Sequence, residues 1–167
     1  MKCLILAAGY ATRLYPLTEN FPKPLLDVGG KTILDWLVDD IDSANLVDEF
    51  VVISNHKYAP HFETWAKTKQ CKVTVVDDGT MSNETRLGAV KDLQFAIDTL
   101  HIDEDILVIA GDNMVDFSFR KFLDYYAEKD GQVVLYDKTG VLTCSTLNAD
   151  PWWASENANS YVTVEIY

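Results

Sequence analysis

The residues best suited to chemistry lie near the amino end. An apolar run ends in Leu6-Ala7-Ala8-Gly9-Tyr10-Ala11-Thr12-Arg13-Leu14, and Pro22-Lys23-Pro24 places a lysine ten residues after Arg13. Small side chains in a turn let backbone amides approach a phosphate closely, and the two cations can then neutralise it. This suits a site that holds a nucleoside triphosphate and a second phosphate together. The chain has 14 Lys plus Arg against 26 Asp plus Glu, a net charge of -12. In so acidic a chain, Arg13 and Lys23 beside such a turn mark a local anion site. The other cations read as scattered surface charge.

Two further segments could act with that turn. In Ile109-Ala110-Gly111-Asp112-Asn113 a carboxylate leaves the end of an apolar run after a glycine. Such a carboxylate can hold Mg²⁺ against triphosphate oxygens, or simply turn the chain. Asp78-Gly79-Thr80-Met81-Ser82-Asn83-Glu84-Thr85-Arg86-Leu87-Gly88 links another apolar run to a helix expected to begin near Asn83. Free amides at a helix start favour an anionic or polar ligand edge; a plain polar loop with a cap is an equal reading of any single residue there.

These groups need a scaffold, and the apolar pattern supplies one. Runs at 3–7, 50–54, 73–76, 106–110 and 133–136 have the length and β-branched content of buried parallel strands. Helical stripes lie between them: Ile33, Leu34, Leu37, Val38 and Ile41 behind a Thr32-x-x-Asp35 capping box; Leu87, Val90, Leu93, Ile97 and Leu100; and Phe119, Phe122, Leu123 and Tyr126 behind a Ser118 cap. A weaker helix at 59–67 turns Phe62 and Trp65 inward. The alternation predicts an α/β fold: a doubly wound, mostly parallel Rossmann-like sheet with helices on both faces. Ligands on such sheets bind beyond the carboxyl ends of the strands, where the first turn, Asp78-Gly79 and Gly111-Asp112 all fall. Residues 1–140 read as a nucleotide-binding core and 141–167 as a divergent tail of unknown role, with a strand at 160–167.

Composition narrows the classes. The acidic balance argues against nucleic acid or an anionic membrane as the main partner. Cys3, Cys71 and Cys144 lack metal-ligand spacing, and the Met-Lys start followed by a strand does not read as a signal peptide. Reduced thiols in a cytoplasmic protein are expected. Gly29-Gly30-Lys31-Thr32 imitates the end of a phosphate-binding loop, but Leu25 stands where that loop needs glycine. Asp137-Lys138-Thr139-Gly140-Val141-Leu142-Thr143 imitates the phosphorylated-aspartate motif of cation pumps without the long region that motif requires. His56, His61 and His101 share no ligand spacing, and the acidic runs at 39–42 and 103–105 read as solvated faces. Trp152-Trp153 could be a core plug, an interface patch or part of a tail.

The stretch Ala-Ala-Gly, Thr-Arg-Leu and Pro-Lys-Pro resembles the signature of the sugar-phosphate nucleotidyltransferase family, which includes thymidylyltransferases and cytidylyltransferases. Ala11 stands where that family usually has Gly, a mild departure if its φ stays negative; Thr32 stands where it usually has Pro. The resemblance covers residues 1 to 138. It implies Mg²⁺-dependent transfer of a nucleotide to a phosphorylated sugar, polyol or related alcohol, with pyrophosphate released. Arg13 would neutralise the departing phosphates, Lys23 would bridge the acceptor phosphate and the α-phosphate, and Asp112 would bind the metal. Leu6, Ala7, Ala8 and Gly9, with Asp78, Asn83, Arg86 and Gly88, would frame the nucleoside. Family members continue for roughly another hundred residues, as an acceptor lobe requires. Their Glu-Lys-Pro segment and second metal-binding Asp have no counterpart here, so the chain reads as truncated, with an apolar face open to homo-oligomer formation. A non-catalytic nucleotide-binding module or an inactive relative is the alternative.

Overall fold

The structure, a computed structural model, describes residues 1–115 and 118–128 in full and the backbone of three later strands. Four parallel strands form the central sheet: β1 (Lys2–Leu6), β4 (Glu49–Ser54), β5 (Val73–Asp77) and β6 (Ile106–Ala110), in the order β5-β4-β1-β6. A two-residue-per-strand hairpin, β2 (Asp27–Val28) and β3 (Lys31–Thr32), lies apart from it. Helices α1 (Ile33–Asp42), α2 (Ala59–Ala66), α3 (Ala89–Leu100) and α4 (Phe119–Glu128) complete the described α/β part.

The alternation of side chains along β1 explains why both faces are covered. Cys3 and Ile5 enter one core with Leu34, Leu37 and Val38 of α1, Phe62 and Trp65 of α2, and Phe119, Phe122 and Leu123 of α4. Leu4 enters a second core on the opposite face, with Val51, Ile53, Ala96 of α3 and Ile106. A strand buried on both faces is largely apolar: all six residues of β4 are buried, with Phe50 to Ile53 apolar and the polar Glu49 and Ser54 at its two ends. The doubly wound sheet is therefore as expected.

The local signals for α1, α2 and α4 also match. The Asp35 amide donates to Thr32 Oγ1 at 3.0 Å and the Thr32 amide to Asp35 Oδ2 at 3.1 Å, closing the capping box. Ser118 Oγ accepts from the Arg120 amide at 3.2 Å. The Asp40 carboxylate of α1 adds a second cap, accepting from the Phe119 amide at 2.6 Å.

Four expectations are corrected. The helix after β5 begins at Ala89, not near Asn83, because Gly88 takes φ 89 and ψ 155, a backbone state that only glycine adopts readily. Val90 is more than half exposed, and the buried face of α3 carries Asp92 and Ala96. The run at 133–136 forms β7 (Gln132–Tyr136), but outside the parallel sheet: it pairs antiparallel with β8 (Val141–Cys144) and parallel with β9 (Tyr161–Glu165). The acidic runs are not merely solvated, since Asp40 caps α4, Asp105 accepts from the Tyr126 hydroxyl, and Glu104 pairs with Lys2 at 3.2 Å. Asp137 to Gly140 and the Trp152-Trp153 pair lie outside the described residues.

The false phosphate loop has a plain structural role. Gly29 and Gly30 turn the β2–β3 hairpin with φ of 70 and 90, which favours glycine at both central positions. Lys31 bonds Asp39 at 2.5 Å and lies 5.0 Å from the centre of the Trp36 ring. Among the described residues no helix is long and apolar enough to cross a membrane.

Candidate active site

The strand order reverses at β1. The chain passes from β1 outward through β4 to β5, then returns to place β6 on the other side of β1. Such a switch point opens a crevice at the carboxyl ends of the two flanking strands. Leu6 lies opposite Ala110 in the register, so the segments starting at Ala7 and Gly111 leave the sheet side by side. The Gly111 amide donates to the Leu6 carbonyl at 2.9 Å. A Cβ at Gly111 would stand 2.8 Å from Ile5 Cγ2, so this close approach of the two strands requires glycine.

The two segments deliver Lys23 and Asp112 to one place. Lys23 opens a 3-10 turn, Lys23–Leu25, whose Pro24 and Leu25 are buried and anchor it. Its ammonium donates to Asp112 Oδ2 at 2.8 Å, although the residues are 89 positions apart in the chain. Both side chains keep partial access to solvent, 29% and 45%. An ion pair this accessible contributes little to stability, so the juxtaposition is not accounted for by folding alone.

The first turn is fixed from beneath. Ala7 and Ala8 are buried, and the Ala7 amide donates to the Ile53 carbonyl at 2.9 Å. The Ala8 carbonyl accepts from Asn55 Nδ2 at 2.9 Å, and the Ala11 carbonyl from Thr18 Oγ1 at 2.8 Å. The buried Tyr10 hydroxyl donates to the Thr80 carbonyl at 3.0 Å. Burial pushes the Tyr10 phenol up, so it keeps its proton and donates. Gly9 is exposed, has no positive φ, and a Cβ there would meet nothing within 4 Å. Neither packing nor backbone conformation therefore requires glycine at position 9, which leaves room against the backbone.

Ala11 corrects another expectation. Its φ is 46 and its ψ 41, so alanine occupies the left-handed state that its Cβ disfavours. Arg13 follows in an exposed 3-10 turn, Thr12–Leu14, with no ion pair or hydrogen bond among the described residues. Leu6 ends β1 with its side chain packed on the second core. In the loop after β5, Asp78 Oδ1 accepts from the Thr80 amide and hydroxyl, both at 2.7 Å. Arg86 donates to Asn83 Oδ1 at 3.0 Å on the exposed limb of that loop, so these two engage each other rather than the first turn. Gly88 ends the loop, and its carbonyl accepts from the Asp92 amide at 2.9 Å.

Sequence reasoning passed over Asn55, Thr80 and Asp92. Asn55 directly follows a strand with no exposed residue, and a polar group there has to satisfy something buried. Asp92 falls four residues before Ala96 on the buried face of α3, an acid inside an apolar stripe.

The profile of the nucleotidyl transferase family matches residues 2–141. The chain belongs to this family. Its relatives include the mannose-1-phosphate guanyltransferase of Saccharomyces cerevisiae, 32% identical over 79% of this chain and 36% of that protein. The bifunctional protein GlmU of Methanococcus aeolicus is 37% identical over 70% of this chain and 26% of its own length. Among solved structures, a UDP-glucose pyrophosphorylase complexed with UDP-glucose superposes with a TM-score of 0.64 at 20% identity, covering 80% of this chain and 56% of the other. At that identity the likeness shows the fold alone. The chain spans about a third of the length of the curated relatives, 34% and 39% for two more of them.

Proposed function

We propose that the crevice between β1 and β6 binds a nucleoside triphosphate and a phosphorylated sugar or polyol, and that the protein joins them with release of pyrophosphate. The observation that carries this reading is the contact between Lys23 and Asp112 at the switch point, beside a turn whose Gly9 leaves open space against the backbone. The acceptor's phosphate oxygen attacks the α-phosphorus in line. One P–O bond forms, the bond to the β-phosphate oxygen breaks, and pyrophosphate carries that electron pair away. Little covalent work falls to the protein, so catalysis rests on alignment and charge neutralisation.

In this reading Lys23 lies between two anions that repel each other and holds both, while the exposed Arg13 meets the departing β- and γ-phosphates. Leu6, Ala7, Ala8 and Gly9 contribute backbone, and Asp78, Asn83, Arg86 and Gly88 frame the nucleoside. The described residues hold no group of three or more His, Cys, Asp or Glu side chains able to bind a metal by themselves. A single accessible carboxylate still fits Mg²⁺, which takes one or two carboxylates and completes its shell with water and substrate phosphates. Asp112 would hold it, and the ion would supply charge neutralisation on the triphosphate. Without ligands, Lys23 and Asp112 neutralise each other; with them, Lys23 would meet the substrate phosphates and Asp112 the metal ion.

The test is pyrophosphate release by the full protein with GTP, CTP, UTP or dTTP, Mg²⁺, and a panel of mannose 1-phosphate, glucose 1-phosphate and polyol phosphates. Turnover with one pair supports the reading. Calorimetric binding without turnover points to a non-catalytic module, and no binding of any triphosphate overturns it.

A further inference from the structure

Beneath the nucleotide loop lie two buried carboxylates that the proposed chemistry does not use together. Asp78, the first residue after β5, and Asp92 in the first turns of α3 are 8% and 6% exposed. Asp78 Oδ2 and Asp92 Oδ1 are buried oxygens with no hydrogen-bond donor. The Asp92 carboxyl lies within hydrogen-bonding reach of the Asp78 side chain, and two ionised carboxylates so placed out of water would repel and leave both oxygens unsatisfied. A single proton between them satisfies both.

We propose that Asp92 is a positioning residue: its carboxyl group donates a shared proton to Asp78 and thereby holds the loop after β5 against the glycine turn. The connection is continuous. Asp78 Oδ1 binds the Thr80 amide and hydroxyl, and the Thr80 carbonyl accepts from the Tyr10 hydroxyl and from the His56 amide at 3.0 Å. Helix α3, the nucleotide loop, the end of β4 and the first turn are thus joined through one protonated acid. Burial pushes the Asp92 carboxyl up to about 6, and the neighbouring Asp78 charge adds to the push. The other titratable groups around the pair are engaged elsewhere: His56 with Asp77 at 2.6 Å, and Tyr10 with the Thr80 carbonyl, while Lys91 and Glu84 are exposed. The consequence for nucleotide binding rests on the function proposed above; the device itself does not.

The test is amide hydrogen exchange at Thr80, compared at pH 5 and pH 7 after correction for the intrinsic rate, in the full protein without nucleotide. A group titrating near 6 keeps its proton in about one molecule in eleven at pH 7, so protection of Thr80 should fall about tenfold. Asp92→Asn, whose amide donates at every pH, should hold the pH 5 level of protection at both values. Asp92→Ala should lose it at both. Wild-type protection that does not change with pH, or an Asp92→Asn protein that follows the wild-type curve, overturns the proposal. If the variants fail to fold, ¹³C-carboxyl titration of the wild type decides: a step near pH 6 at Asp92 that also moves the Asp78 carboxyl resonance supports the shared proton, and loss of the Asp92 proton complete below pH 5 with no effect on Asp78 overturns it. A protein that binds no triphosphate yet shows this exchange pattern would lose the proposed function and keep this inference.

Discussion

The Lys23 ammonium lies 2.8 Å from the Asp112 carboxylate, across the gap between the segments that follow β1 and β6. Each is the other's counter-charge, and each is accessible enough to be taken over by a ligand. Lys23→Ala should lower kcat/KM for pyrophosphate release by about 10²–10³-fold, the scale for losing one group that stabilises transition-state charge. Its urea midpoint should barely move, because so accessible a pair contributes about 0–1 kcal/mol. Unchanged turnover would remove Lys23 from the chemistry.

Ala11 adopts a positive φ in the turn that carries Arg13. Ala11→Gly should therefore raise unfolding free energy by about 1 kcal/mol, the left-handed penalty less the extra entropy of glycine in the unfolded chain. Equilibrium urea unfolding at constant slope would measure it, and a loss of stability would show that the turn relaxes in solution.

Gly111 has the opposite requirement, since a methyl there would press on Ile5 Cγ2. Gly111→Ala should cost about 1–3 kcal/mol by overpacking and displace the adjacent Asp112. Adding Ile5→Leu, which removes that methyl group while holding volume, should recover part of both stability and turnover. Additive losses in the double variant would contradict the contact.

Stability should fall on both sides of a mid-acid optimum. For Glu49, burial opposes the charged form, but hydrogen bonds from Lys2, Thr74 and Lys72 outweigh it and hold the carboxyl at about 2. Asp35 is likewise held at about 2 against burial by Lys69, Trp65 and Thr32. Carboxyl groups lowered by folding stabilise above their unfolded values and lose that contribution as pH falls, here from about 4.5 toward 2. Asp92 runs the other way: raised from 3.8 to about 6, it stabilises below 3.8, and the contribution is lost as pH rises through that interval. The Asp92 limb amounts to something on the order of 3 kcal/mol. Thermal unfolding against pH should show Glu49→Gln flattening the acid limb and Asp92→Asn flattening the other; a limb unchanged by its own variant would reject that assignment.

Much of this was readable in the residues themselves. Apolar runs with β-branched content fixed the four parallel strands within a residue or two, and the Thr32 and Ser118 caps located α1 and α4, because these signals act over a few neighbours. The chain from Ala7 to Lys23 indicated phosphate chemistry because its residue types have few other uses together. What folding in three dimensions decided was adjacency and environment. Lys23 meets Asp112 only because the strand order reverses at β1. Gly88 ends a loop rather than continuing a helix because its backbone takes a state that composition does not announce. The left-handed φ of Ala11 and the burial of Asp92 against Asp78 have the same origin. Pattern encodes which side faces the core, whereas contacts between distant positions and the solvation of a carboxyl group depend on what the rest of the chain packs beside them.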